Sequence, residues 1–164
     1  MEPNLPRLAL SVRQPWAWAI IHGGKNIENR DWREPNPGLR FRGPVAIHAS
    51  IGMTRDEYEE ARDFMAGIGV TCPAPADLAR GGIIGRVIVQ DAIRIRDVPG
   101  DPKWLSPWFF GPLGLVLREP LAANFIPAKG ALGFFEWTAG DPAAAPQPAR
   151  WMLPDEPQVQ GTLL

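Results

Sequence analysis

Sulfur and imidazole are scarce in this sequence, which has one cysteine, Cys72, and two histidines, His22 and His48. A lone cysteine excludes an intramolecular disulfide, and without a second thiol no thiolate zinc cluster can form; a reducing, cytoplasmic setting is the expectation. No stretch approaches the roughly 20 apolar residues of a membrane span, and residues 1–10 lack the basic-then-apolar order of a secretion signal. No membrane partner is therefore expected. The sequence has no P-loop, no metal-ligand spacing and no Ser/His/Asp order, so neither metal nor cofactor is expected. Nor is there a large excess of one charge: the net charge of −1 excludes a generally basic chain that coats nucleic acid.

What is present is enough for a single domain. A chain of 164 residues can bury roughly two-thirds of the surface it exposes when unfolded. The charge is unevenly spread. Residues 1–50 hold seven Lys/Arg against four acids, a net of +3, and the rest hold ten against fourteen, a net of −4. A positive N-terminal third on a near-neutral protein points to a local anion site or to an ordinary mixed surface. From residue 139 onward the composition turns to Pro and Ala, with prolines at 142, 146, 148, 154 and 157. The domain is therefore expected over 1–138, with 139–164 a tail that is either disordered or pinned back by Trp151 and Met152. Such a tail could also carry a protein partner.

Periodicity supplies the elements. Residues 8–12 read as a strand, Pro15 opens a two-turn helix that stops at Gly23-Gly24, and residues 44–49 form a buried strand. Thr54 and Glu57 make a capping box ahead of a stripe of Tyr58, Ala61 and Met65, so a helix should run to about Gly67. Residues 82–95, rich in β-branched side chains, make a long central strand with Gly85 as its bend. Two more strands are expected over 113–118 and 132–138, separated by a link punctuated by Pro120 and Pro127. Two early helices and several strands make an α+β domain, and closing the strands into a small mixed or antiparallel barrel would protect their edges.

The segment Lys25-Asn-Ile-Glu-Asn-Arg30 carries the chemistry. In an extended chain Asn26, Glu28 and Arg30 share one face while Ile27 faces the core. Glu28 can pair with Arg30 and hold its guanidinium toward an anion, and Lys25 adds a compact charge. The Pro15 helix would offer its first amides to the same anion. Trp16 and Trp32 supply flat faces for a base, a contact of about 1–3 kcal/mol, with Arg13 beside them in sequence. Each has a plainer alternative: Trp16 and Trp18 as core anchors, Glu28–Arg30 as a bracing ion pair, Trp104 and Trp108 as rim or packing, His48 as a core histidine, His22 as a helix cap.

The run Gly24-Lys-Asn-Ile-Glu-Asn-Arg-Asp-Trp32 fits Gly-x-Lys-x-x-Glu-x-Arg followed by an aromatic, and resembles the signature of the ASCH family, which has the PUA-like fold. Residues 11–17, Ser-Val-Arg-Gln-Pro-Trp-Ala, are similar to the opening of that family's transcription-coactivator branch. Residues 44–50 and 111–137 are similar to its later strands, so the likeness spans about 8–138. It implies a PUA-like barrel with flanking helices and a site that binds RNA, DNA or a nucleotide through Arg13, Trp16, Lys25, Glu28, Arg30 and Trp32.

The same resemblance offers an enzymatic alternative. One branch hydrolyses N4-acetylcytidine with a lysine, a threonine and a glutamate; Lys25 matches the lysine, but Glu28 stands where the threonine falls. Another branch resembles a metal-independent nuclease on single-stranded RNA, with Lys25 and Tyr58, Ser11 or His48 in acid–base roles. Lys25 and Glu28 are the catalytic candidates on that reading.

Overall fold

The computed structural model describes residues 2–155. Six strands form one sheet: β1 (Leu8–Val12), β2 (Ile27–Arg30), β3 (Gly43–Ala49), β4 (Gly82–Arg94), β5 (Leu113–Pro127) and β6 (Phe134–Glu136). Their order across the sheet is β2-β5-β4-β3-β1-β6, antiparallel except where β1 pairs with β3. Two helices, α1 (Trp16–His22) and α2 (Arg55–Gly67), complete the α+β domain.

Curling follows from the long strands. The β4–β5 register slips between Ile83 and Gly85, between Arg86 and Ile88, and between Val89 and Asp91. Each slip adds local right-handed twist, so the sheet rolls into a half-barrel of the expected PUA-like kind. Inside lie Leu10, Val12, Val45, Ile47, Val87 and Leu115, with Ile20 of α1 plugging one end. Each such buried side chain stabilises the fold by about 1.5–3 kcal/mol.

Strand β5 runs farther than the sequence suggests. It was expected to end before Pro120, yet it continues to Pro127. Proline is tolerated because the ladder passes from the Ile88–Arg118 pair to the Arg86–Leu121 pair, leaving Glu119 and Pro120 in a register slip, with Glu119 at φ 53°. No ladder hydrogen bond is lost there. Strand β6 is shorter than expected, three residues within 132–138.

The capping box at α2 is complete: the Glu57 amide donates to Thr54 Oγ1 and the Thr54 amide to Glu57 Oε2. Tyr58, Ala61 and Met65 form the buried stripe. Beyond the domain body, two short 3-10 turns (Pro142–Ala144 and Arg150–Met152) interrupt the proline-rich segment. Met152 is buried beside Tyr58 and Leu78, and Trp151 lies 6.0 Å from the Tyr58 ring. Trp151 and Met152 thus pack against the body; Pro157 and the rest of the expected tail lie outside the described residues. Among those described, no helix is long and apolar enough to cross a membrane.

Candidate nucleic-acid site

Strand β2 is an edge of the sheet, and its far side faces β1 without pairing to it. Strand β6 covers β1 only from Leu8 to Leu10, so the carbonyl of Ser11 is free to look toward β2. There the Arg30 guanidinium donates to it at 2.7 Å. A side chain, not a ladder, therefore bridges the seam of the half-barrel.

The same guanidinium holds Glu28 at 2.9 Å, and the other oxygen of that carboxylate lies 3.3 Å from Lys25 Nζ. Two cations share one carboxylate, leaving a triad of net +1. Lys25 also donates to the carbonyl of Ile27. Lys25 and Glu28 are both buried, at 3% and 7% exposure. The sequence leaves the direction of Lys25 open, and two aromatic rings enclose it: its Nζ lies 5.7 Å from the Trp16 ring and 6.0 Å from Trp108. A desolvated cation over two ring faces gains about 2 kcal/mol. Burial nevertheless pushes the Lys25 amine below its usual pKa, and Glu28 only partly opposes this.

Local geometry delivers Lys25 to this place. Gly24, at φ 78°, turns the chain after α1 so that the Lys25 amide returns to the carbonyl of Ala19 at 3.0 Å. The left-handed conformation favours glycine. Strand β2 then alternates: Ile27 packs inward and Glu28 and Arg30 line the cleft. Asn26 does not share it, since its side chain faces Ser106.

The cleft above the triad holds about 480 Å³ and is lined by Arg13, Trp16, Lys25, Glu28 and Arg30, with Phe110 and Pro112 opposite. Five of the six proposed contact residues meet here. Arg13 is clamped by Glu57 at 2.8 and 3.0 Å, which holds the Glu57 carboxyl below its usual pKa, so the capping residue of α2 also orients a cleft arginine. Trp16 is half-buried in an aromatic group with Phe64, Trp108 and Phe110. Trp32 is the sixth. It stacks 5.4 Å from Arg30 on the far side of the strand end, in an adjoining cleft.

Two of the first amides of the Pro15 helix are already taken. Its Trp18 amide is taken by Gln14 Oε1 at 2.9 Å and its Ala17 amide by the carbonyl of Arg13. Trp108 is core, whereas Trp104 is exposed and away from the cleft wall. Phe110, half-exposed at the rim, was missed by sequence reasoning; the Phe-Phe-Gly-Pro run at a turn was its only signal. His48 is a core histidine, bonded to Ser11 Oγ at 3.0 Å and to the carbonyl of Ala128 at 2.7 Å. Tyr58 bonds the carbonyl of Pro73 and is not a cleft residue. Among the described residues no group of His, Cys, Asp and Glu could hold a metal.

The curled sheet with two flanking helices and a charged, aromatic-walled cleft at its seam is a PUA-like domain. The ASCH domain family model matches residues 10–102, and the chain belongs to that family. No curated protein matches it in sequence.

Proposed function

We propose that this protein binds single-stranded nucleic acid, RNA foremost, or a modified nucleotide, in the cleft above Lys25, Glu28 and Arg30. The observation that carries the reading is the convergence of a net-positive triad with exposed aromatic surface in a cleft of small-molecule size, a range of about 300–1,000 Å³. Phe110 and Trp16 would stack a base, while Arg30 and Arg13 would meet phosphate or carbonyl oxygens. The buried carboxylate limits the net charge, which favours recognition of a particular base over general coating of a strand.

Phe110→Ala tests it cleanly, because that ring is half-exposed and its removal leaves the triad intact. Fluorescence anisotropy with short single-stranded RNA should show about a 5- to 150-fold loss of affinity in a protein that stays folded, with the melting temperature lowered only by the loss of the Phe64 and Trp16 ring contacts. Equal affinity in parent and variant, or no binding of RNA, DNA or nucleotide by the parent at low salt, would overturn the reading.

The place of Lys25 in the cleft wall, 3.3 Å from Glu28 and with its pKa lowered by burial, favours a second reading, a metal-independent hydrolase of acetylated cytidine or RNA with Lys25 as base. Metal-free protein would then turn over one of these substrates and Lys25→Met would not. Absence of product after long incubation at high enzyme concentration would remove that reading.

A further inference from the structure

Arg30 and Asp31 belong to two clefts. On one side lies the Lys25 cleft, and on the other a second one of about 540 Å³, walled by Trp32, Gly38, Leu132 and Phe134. Among the described residues, Arg30 and Asp31 are the only ones that line both, so the end of β2 stands as a ridge between them.

The second cleft has an aromatic wall of its own. Trp32 is half-buried, fixed by an edge contact with Phe134 at 5.5 Å and by the Arg30 guanidinium over its ring. Gly38 makes room for it, since a Cβ there would lie 2.6 Å from the indole. Leu132, on the loop before β6, is 98% exposed and so presents an apolar side chain that the fold itself does not use. Two aromatic-walled clefts, each of small-molecule size, flank one guanidinium that is held in place by Glu28 and Ser11.

Successive aromatic platforms with a cation between them match the repeat of a single strand, in which bases alternate with phosphates. We propose, building on the function proposed above, that the ligand is at least a dinucleotide: one base lies in the Lys25 cleft against Trp16 and Phe110, its neighbour lies in the second cleft against Trp32 and Leu132, and the phosphodiester between them crosses the ridge at Arg30. Asp31 on the same ridge sharpens the choice of phosphate. A diester carries one negative charge, whereas a terminal phosphate monoester carries about 1.5–2 at neutral pH and is repelled more strongly by that carboxylate. An internal linkage is preferred over a strand end.

The test is a length series of single-stranded RNA of mixed sequence, from one to four nucleotides, titrated against the parent, Leu132→Asp and Trp32→Leu. Leu132 has no packing role, so the first variant keeps the fold whatever the second does. For the parent, affinity should rise about 5-fold or more from one unit to two, with a smaller step thereafter. Both variants should lose that step, and Leu132→Asp, which touches nothing in the first cleft, should bind single nucleotides as the parent does. If single nucleotides bind but a second unit adds nothing, or if the step survives in both variants, the two-cleft proposal fails and the single-cleft function stands. If neither single nucleotides nor longer strands bind, both fail together.

Discussion

Replacing Glu28 with glutamine isolates the central interaction of the site. Glu28 faces two cations, Lys25 Nζ at 3.3 Å and Arg30 Nη2 at 2.9 Å, and the Lys25 side chain is only 2% exposed. At an effective dielectric of about 20, the attraction between Lys25 and Glu28 is about 5 kcal/mol. A glutamine amide oxygen returns part of this as a neutral hydrogen bond. The expected loss is therefore about 3 kcal/mol, the lower end of the range of about 3–5 kcal/mol for removing one partner of a buried pair. The cause can be separated from general damage by pH. Burial already holds the Lys25 pKa below its unfolded value, and loss of the carboxylate lowers it further. Between that folded value and about 10.4 the unfolded chain binds more protons than the native one, so stability rises with pH, by up to about 1.4 kcal/mol per unit. Both proteins share that slope above the parent's folded value, so the gap between Glu28→Gln and parent closes as pH rises through that value; a urea series from about pH 6 to 9.5 should show it no wider at the top of the range than at the bottom and narrower wherever the parent's Lys25 titrates. Adding Lys25→Met to Glu28→Gln should restore about 2 kcal/mol, because the stranded ammonium is gone. A Glu28→Gln protein within about 0.5 kcal/mol of the parent, with a difference flat in pH, would refute the reasoning.

Two further outcomes rest on other parts of the fold. His48 is buried and its pKa lies below the usual value because of desolvation, which the bond to the Ala128 carbonyl only partly offsets. Below about pH 6.5 the unfolded chain takes up a proton that the native one refuses, so stability should fall with pH by up to about 1.4 kcal/mol per unit, and His48→Gln should flatten this slope in urea titrations at pH 7.5 and 5.5. Met152→Ala should cost about 2 kcal/mol by thermal or urea unfolding, since the side chain is buried against Tyr58 and Leu78; an unchanged midpoint would show that the Pro-rich segment is not held there in solution.

Local chemistry made much of this fold legible. The Thr54–Glu57 box, the Tyr58, Ala61 and Met65 stripe and the β-branched run of β4 are each readable within a few residues, and each is in place. Pro120 misled because a proline in a strand is costly only where its missing N–H faces a partner, and a register slip cannot be read one strand at a time. The seam bridge is of the same kind. That Arg30 reaches Ser11 depends on β6 stopping at Leu10, a fact about three strands at once. The burial of Lys25 depends on Trp108, far along the chain, which is why its direction stays open in the sequence. The signature residues were nevertheless found together, because the Gly24 turn and the two-residue period of β2 bring Lys25, Glu28 and Arg30 to one cleft.

Asn29 lies between the two charged residues of β2 and serves a different end. Its side chain donates to the carbonyl of Trp108 at 2.9 Å and accepts from the amides of Phe110 and Gly111 at 2.8 and 3.0 Å. One side chain thus ties the aromatic rim to the strand that carries the triad. On the function proposed above, this tie would set the spacing between the ring wall and the ionic floor before a ligand arrives, and the cleft would act as a fixed gauge of thickness rather than as a jaw. A planar guest entering such a slot meets little cost of ordering the walls, and association should follow a single exponential phase. Cutting the tie with Asn29→Ala would convert the gauge into a loose flap, seen first as faster escape of the guest rather than slower capture.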